Sequence, residues 1–264
     1  MKRLCGQACS IAHAIPPSSG HGTLEAMIVH DDRLAAFIEG MDATGFSRCP
    51  EVRVLACRYS TFAYRDELFV LMGVPFPDSL AQAVSRRKAE YLAGRYLCRK
   101  LMLNQGLVAV DVPSGRHRQP LWPTGWLGSI SHTNHLAVCC LVRRSRIGLL
   151  GIDVESWLSP ELAKEIAPSI LNEDETQCLI ALGSIARRVT LAFSAKESLF
   201  KALYPRVGRY FEFTDVCVRA LCEEEGRLIL QIANDLSADI RSGAEFHCHF
   251  RLCSEHVLTL AAAT

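Results

Sequence analysis

The apolar residues of this 264-residue chain are broken into short runs. The longest, Leu136–Val142 (LAVCCLV), is closed by Arg143, Arg144 and Arg146. A bilayer-spanning helix needs about 20 apolar residues, so no membrane span is expected. With 49% hydrophobic and 22% charged residues, the chain has enough apolar side chains for a full core. That balance excludes a disordered or collagen-like chain. The length allows one large domain or two modest ones. The N-terminus is basic, but Gln7, Ser10 and His13 interrupt its apolar stretch, so no secretory signal is expected.

Twelve cysteines fall well below the ~8–10% that marks a disulfide scaffold. Most sit among apolar neighbours, and no CxxC pair occurs. A reducing, cytoplasmic compartment is therefore expected. His247-Cys248-His249 with Cys253 is the one zinc-like cluster. It reads better as a strand, with Cys248, Phe250 and Leu252 on one face and His247, His249 and Arg251 on the other. The net charge of +1 argues against nucleic-acid binding. Charge is nevertheless concentrated between Arg86 and Lys100, where six basic residues accompany only Glu90.

The first fifty residues carry no interpretable motif. Glu51–Ala63 alternates like a strand over its first half. A helix is predicted from Ser79 to a stop at Gly106, followed by the loop SGRHRQPLWPTGWLG. SISHTNHLAVCCLV and GLLGIDVES read as two strands joined by the basic turn RRSR. Ser159-Pro160 opens a helix, and Asn172 with Glu175 forms a capping box for the next, which ends near Gly183. Arg187–Tyr204 reads as a long helix stopped before Pro205. FEFTDVCVRAL, GRLILQIA, EFHCHFRLC and HVLTLAAA alternate like an antiparallel sheet. The fold class predicted is α+β. Two subdomains, 1–147 and 148–264, would each pair a small antiparallel sheet with one long helix.

Three clusters could carry chemistry. On a strand Asp153 and Glu155 face the same way, while Ile152 and Val154 face inward. Two adjacent carboxylates repel unless a cation lies between them, and hard oxygen ligands favour Mg²⁺. In the long helix, Val189, Ala192, Phe193, Leu199, Phe200 and Leu203 form an apolar stripe with Lys196 in its middle. A cation aimed at a core requires an anion to meet it. Glu197 and Lys201, four apart, could be a plain helical ion pair. In the 79–106 helix Arg87 likewise projects near the centre of the apolar face, with Arg95 at its edge; a core carboxylate or a phosphate could meet Arg87. Finally, Ser131 and His132 stand at a loop–strand boundary where hydroxyl and imidazole groups could meet a phosphate.

The segments SRRKAEYLAGR, RQPLWP, GSISH, GIDVE and TLAFSAKESLFKA occur in an order that resembles 4′-phosphopantetheinyl transferases of the surfactin type, in particular the enterobactin synthase component D branch. The resemblance implies two pseudo-symmetric α+β subdomains with coenzyme A (CoA) in the cleft between them. It implies Mg²⁺-dependent transfer of the phosphopantetheine arm of CoA to a serine of an apo carrier protein: peptidyl, aryl or acyl. By resemblance Asp153, Glu155 and Glu197 are metal ligands, and Lys196 and Lys201 contact phosphate. Arg87, Arg95, His132 and, in the basic loop, Arg118 would contact CoA. A siderophore or other peptide-synthetase pathway and a monomeric state are the matching expectations. A base must take the serine proton; Glu197 is the first choice and Lys201 the alternative.

Relatives often carry Trp where this chain has Phe193, and often a lysine in the loop that here reads Arg116-His117-Arg118. Two rival readings exist. Ser198-Leu199-Phe200-Lys201 also fits the SxxK of serine β-lactamases, but no KTG or SDN accompanies it. A non-catalytic CoA binder on the same fold would not require three carboxylates beside a pyrophosphate.

Overall fold

The computed structural model describes residues 31–107 and 111–263; the basic N-terminal stretch and its expected lack of a signal lie outside the described residues. In chain order the elements are α1 (Asp32–Phe37), β1 (Ile38–Thr44), β2 (Arg53–Tyr59), α2 (Leu68–Leu71), α3 (Ser85–Asn104), β3 (Trp126–His132), β4 (Leu136–Arg143) and β5 (Leu149–Ser156). They continue with α4 (Pro160–Ile170), α5 (Glu173–Cys178), α6 (Ile185–Val207), β6 (Val216–Cys222), β7 (Arg227–Ile232), β8 (Glu245–Leu252) and β9 (His256–Ala263). A four-stranded antiparallel sheet has the order β1-β2-β4-β3, and a five-stranded one the order β5-β9-β8-β7-β6. The expected α+β class, with one long helix on each sheet, is what the chain forms.

Period-two alternation builds the layers. Leu55, Cys57 and Tyr59 of β2 and Ala137, Cys139 and Leu141 of β4 face α3. Their neighbours Val54, Val138, Cys140 and Val142 face the second sheet, meeting Leu150, Ile152 and Val154 of β5 and Leu258 and Leu260 of β9. The other face of the second sheet packs on α6 with α4. This explains the uninterrupted apolar run of β4, which is buried on both sides. Gly151 is forced by the α6–β5 contact: a Cβ there would lie 2.0 Å from the Ser198 carbonyl oxygen. Backbone meets backbone at that point, and glycine alone fits.

Several boundaries differ from the sequence reading. Residues 78–80 form a separate 3₁₀ turn, and α3 begins only after Val84 in extended conformation. SISHTNHLAVCCLV is not one strand but the hairpin β3–β4, turning at residues 133–135. Helix α6 does not stop before Pro205. Ser184 caps its N-terminus, Pro205 lies in its last turn, and the stop is Gly208 in the left-handed conformation (φ 69°). The segment before residue 50 contains α1 and β1. His247, Cys248 and His249 lie in β8, with Cys248 buried against α6, and no group of three His, Cys, Asp or Glu residues arranged for a metal ion occurs among the described residues. The ten cysteines among the described residues are all unbridged. No helix among them is long and apolar enough to cross a membrane.

Candidate functional site

The edge strands β3 and β5 lie next to each other, and the face of β5 that carries Asp153 is turned to α6. Asp153 is 2% exposed. Its Oδ1 accepts from Ser131 Oγ at 2.7 Å and from Lys201 Nζ at 2.6 Å, and its Oδ2 accepts from Ser194 Oγ at 2.8 Å. Lys201 Nζ also donates to Ser131 Oγ at 2.9 Å and to the Ile152 carbonyl at 3.3 Å. Three elements thus converge on one buried carboxylate. Ser131, expected to meet a phosphate, serves Asp153 instead.

Around this knot lie two further carboxylates. Burial, then the charge of Asp153, pushes the Glu155 carboxyl up to about 8, with Lys201 opposing and Glu197 adding to the rise. Burial also raises Glu197, which feels Lys201 and Asp153 in opposite senses. One ammonium therefore faces three carboxylates. Burial, the larger cause at both glutamates, disfavours their ionised forms, and at Glu155 the charge of Asp153 adds to it.

Across the cleft, α3 presents a second cluster. Glu90 is buried and accepts from Arg86 Nε at 3.1 Å and Arg87 Nη1 at 3.3 Å. Arg87 Nη1 also lies 3.2 Å from His132 Nε2. A guanidinium only donates, so Nε2 is the acceptor and His132 is neutral with its proton on Nδ1. Burial pushes the imidazole below its ordinary value, partly offset by Glu90. Arg95 stacks on the Tyr91 ring at 4.7 Å and donates from Nη2 to Ser114 Oγ at 3.0 Å, while its buried Nε has no acceptor. Ser114 begins a small hairpin closed on Pro120, whose exposed tip holds Arg116, His117 and Arg118. Arg118 adopts a left-handed backbone (φ 64°). This hairpin, Trp122, Lys201, Tyr204 and Tyr210 line a cleft of about 910 Å³.

Lys196 is elsewhere, which corrects the phosphate contact expected for it. Its Nζ pairs with Glu175 at 2.7 Å and donates to the carbonyls of Ile170 at 2.7 Å and Phe213 at 3.1 Å. Glu175 is equally occupied, accepting from the amides of Asn172 and Val218. Both side chains are almost fully buried, so all three ammonium protons are spent inside the protein. The anion required by the sequence is Glu175, not a ligand. Phe193 packs against Phe213 with ring centroids 5.2 Å apart, a contact that needs no indole N–H.

Sequence reasoning does not single out Ser194, Glu90 or Glu175 as site or support residues. Ser194, Ser198 and Lys201 recur at i, i+4 and i+7, a helical face that marks them as neighbours. Glu175 is visible in the sequence only as a capping residue.

Two family models match. Residues 76–142 match the 4′-phosphopantetheinyl transferase N-terminal domain, and residues 149–261 match the 4′-phosphopantetheinyl transferase superfamily. The chain is similar to enterobactin synthase component D of Salmonella typhimurium (strain LT2), 46% identical over 140 residues, covering 52% of this chain and 57% of the relative. It is similar to the protein of the same name in Escherichia coli (strain K12), 37% identical over 133 residues, covering 50% and 62%. It is also similar to the 4′-phosphopantetheinyl transferase Npt of Nocardia iowensis, 27% identical over 168 residues, covering 64% and 69%. The match thus spans little more than half the length of the two enterobactin synthase relatives. Together the two models take in most of the chain, including both long helices and the strand carrying Asp153, and the chain belongs to the 4′-phosphopantetheinyl transferase superfamily.

Proposed function

We propose that this chain transfers the 4′-phosphopantetheine arm of CoA to a serine hydroxyl of an apo carrier protein, in siderophore or related peptide-synthetase biosynthesis. The observation that carries this reading is the cluster of Asp153, Lys201 and Ser131 beside two carboxylates that burial shifts upward, next to a basic-rimmed cleft that Lys201 lines. Arg118 lines that cleft and His132 ends the strand that borders it, while Arg87 joins His132 from α3 and Arg95 joins the hairpin through Ser114; together they would supply donors for CoA phosphates. The two lobes are taken as residues 1–147 and 148–264, acting as a cytoplasmic monomer with CoA between them.

The donor types, three hard carboxylates around one ammonium, suit magnesium, although among the described residues no three such groups stand arranged around an ion position. Asp153, Glu155 and Glu197 would hold it; bound there, Mg²⁺ would neutralise the pyrophosphate. The chain's own groups do the rest. The serine oxygen attacks the β-phosphorus, and the bond to the departing adenosine 3′,5′-bisphosphate breaks. Lys201, partly exposed at the cleft and holding the Ile152 carbonyl only at 3.3 Å, would turn that N–H to the charge that develops. Its Nζ has three acceptors within 3.3 Å, so it has no lone pair to offer as a base. Glu197, whose proton affinity burial raises, is the better acceptor for the serine proton.

The test is the intact mass of an apo peptidyl carrier protein after incubation with this protein, CoA and Mg²⁺. One phosphopantetheine gained with metal, and none with EDTA or with Asp153→Ala, is the expected result. A panel of carriers left unmodified while CoA still binds would overturn the transferase reading in favour of a non-catalytic CoA binder.

A further inference from the structure

Behind Asp153 lies a row of hydroxyls that no step above uses. Ser194 Oγ is 2.9 Å from Thr259 Oγ1, which is 2.6 Å from Ser198 Oγ, and all three residues are fully buried. Thr259 Oγ1 also lies 2.9 Å from the Ser194 carbonyl, and Ser198 Oγ 3.1 Å from the Thr259 carbonyl. Each hydroxyl has a single proton. An ionised carboxylate only accepts, so Ser194 must spend its proton on Asp153 Oδ2. Thr259 has one proton for either Ser194 Oγ or the Ser194 carbonyl, and Ser198 one for either Thr259 Oγ1 or the Thr259 carbonyl. Either way the two hydroxyls close around Ser194 and leave its own proton for the carboxylate. Hydrogen bonds in such a chain polarise one another in a dry interior.

We propose that Ser194, backed by Thr259 and Ser198, is a positioning residue for Asp153: it anchors Oδ2 from behind and so fixes the carboxylate with Oδ1 toward Ser131 and Lys201. The proposal rests on the reading of Asp153 as a cation ligand. The chain of hydroxyls spans two elements, since Ser194 and Ser198 come from α6 and Thr259 from β9, opposite Asp153 in the β5–β9 register. The carboxylate is thus fixed from its own strand's neighbour and from the helix at once. Outer hydrogen bonds of this kind orient ligand groups, and their loss commonly weakens metal affinity ~10–100-fold.

The experiment is Mg²⁺ titration of the full chain by calorimetry, with CoA present and no carrier. Ser194→Ala should raise the Mg²⁺ dissociation constant ~10-fold or more. Turnover measured separately should recover to near the unsubstituted kcat at saturating Mg²⁺. Thr259→Val keeps the shape of the side chain and removes its hydroxyl, so it should weaken binding less, about threefold, and Thr259→Ser should restore it. Should Ser194→Ala not fold, the Thr259 pair decides the matter by itself. Unchanged Mg²⁺ affinity in Ser194→Ala and Thr259→Val, while Asp153→Ala loses it, would overturn the positioning role. Unchanged affinity in Asp153→Ala as well would instead overturn the metal reading on which the role rests.

Discussion

Helix α6 carries two lysines five residues apart, and they live in opposite worlds. Lys196 is sealed, with its ammonium shared among Glu175 and two carbonyls and its side chain 1% exposed. Lys201 pairs with a carboxylate equally buried, yet its own side chain is 26% exposed and it borders the cleft. At about 100° per residue, five residues turn the helix by more than a quarter circle, so the two lysines cannot share a site. Charge balance separates them further. Around Lys196 one cation meets one carboxylate with every lone pair spoken for. Around Lys201 one cation meets three carboxylates, and burial, joined at Glu155 by the charge of Asp153, raises Glu155 to about 8 and Glu197 above its ordinary value. A closed pair holds a fold together; an unbalanced one is ready for a ligand.

The comparison breaks most directly by removing each ammonium. Lys196→Met strands the Glu175 carboxylate in the core and should destabilise the fold by about 3–5 kcal/mol. Lys201→Met also strands a buried carboxylate, but the vacated place is partly open to water, so it should lower stability less, by about 1–3 kcal/mol, while abolishing carrier modification. Urea denaturation at pH 7 measures both, and the reverse order of destabilisation would end the distinction.

A smaller loss is expected from Gly151→Ala, where the new methyl meets the Ser198 carbonyl. Helix α6 must lift from β5, at a cost of about 1–3 kcal/mol. Activity should fall more than stability does, since the lift separates Lys201 and Ser194 from Asp153; denaturation and carrier-modification rates read the two effects separately.

Acidity sharpens the contrast. Folded, Glu155 keeps its proton up to about pH 8; unfolded, it releases it near the ordinary carboxylate value. The folded state therefore binds more protons across that interval, and stability falls as pH rises from about 5 to about 8. With EDTA present this slope should appear in urea midpoints, and millimolar Mg²⁺ should flatten it. A pH-independent midpoint in EDTA would contradict the raised Glu155 carboxyl.

The smallest effect is expected at Glu90, whose carboxylate holds up the His132 pKa against burial. Glu90→Gln should lower it further, visible as an acid-shifted imidazole titration by NMR. An upward shift would mean that Glu90 does not act on this imidazole.

Much of the site is legible in the residues themselves. The strand period puts Asp153 and Glu155 on one face, and the buried-side position of Lys196 demands an anion. Which anion answers it is hidden from the sequence. Glu175 comes from a different helix, and its local capping role gives no hint of a second duty. The hairpin at residues 133–135 has no Gly or Pro to punctuate it, so β3 and β4 look like one continuous strand. Strand β1 is exposed along much of its length, so it lacks the alternation that burial imposes. Glu90 stands out only as the lone acid in a basic stretch. Its clamp on Arg87 and His132 depends on β3 passing over α3, a tertiary fact.

The missing side chain at Gly151 sets where this protein can change. Strand β5 and helix α6 touch main chain to main chain, with nothing soft between them to compress or exchange. Any drift of that bank of the cleft must carry Glu155, Glu197 and Lys201 together as a block. Under the proposed transferase reading, accommodating a different acceptor is left to the facing bank, where the hairpin tip and Trp122 can be remodelled without disturbing the spacing of the charged groups.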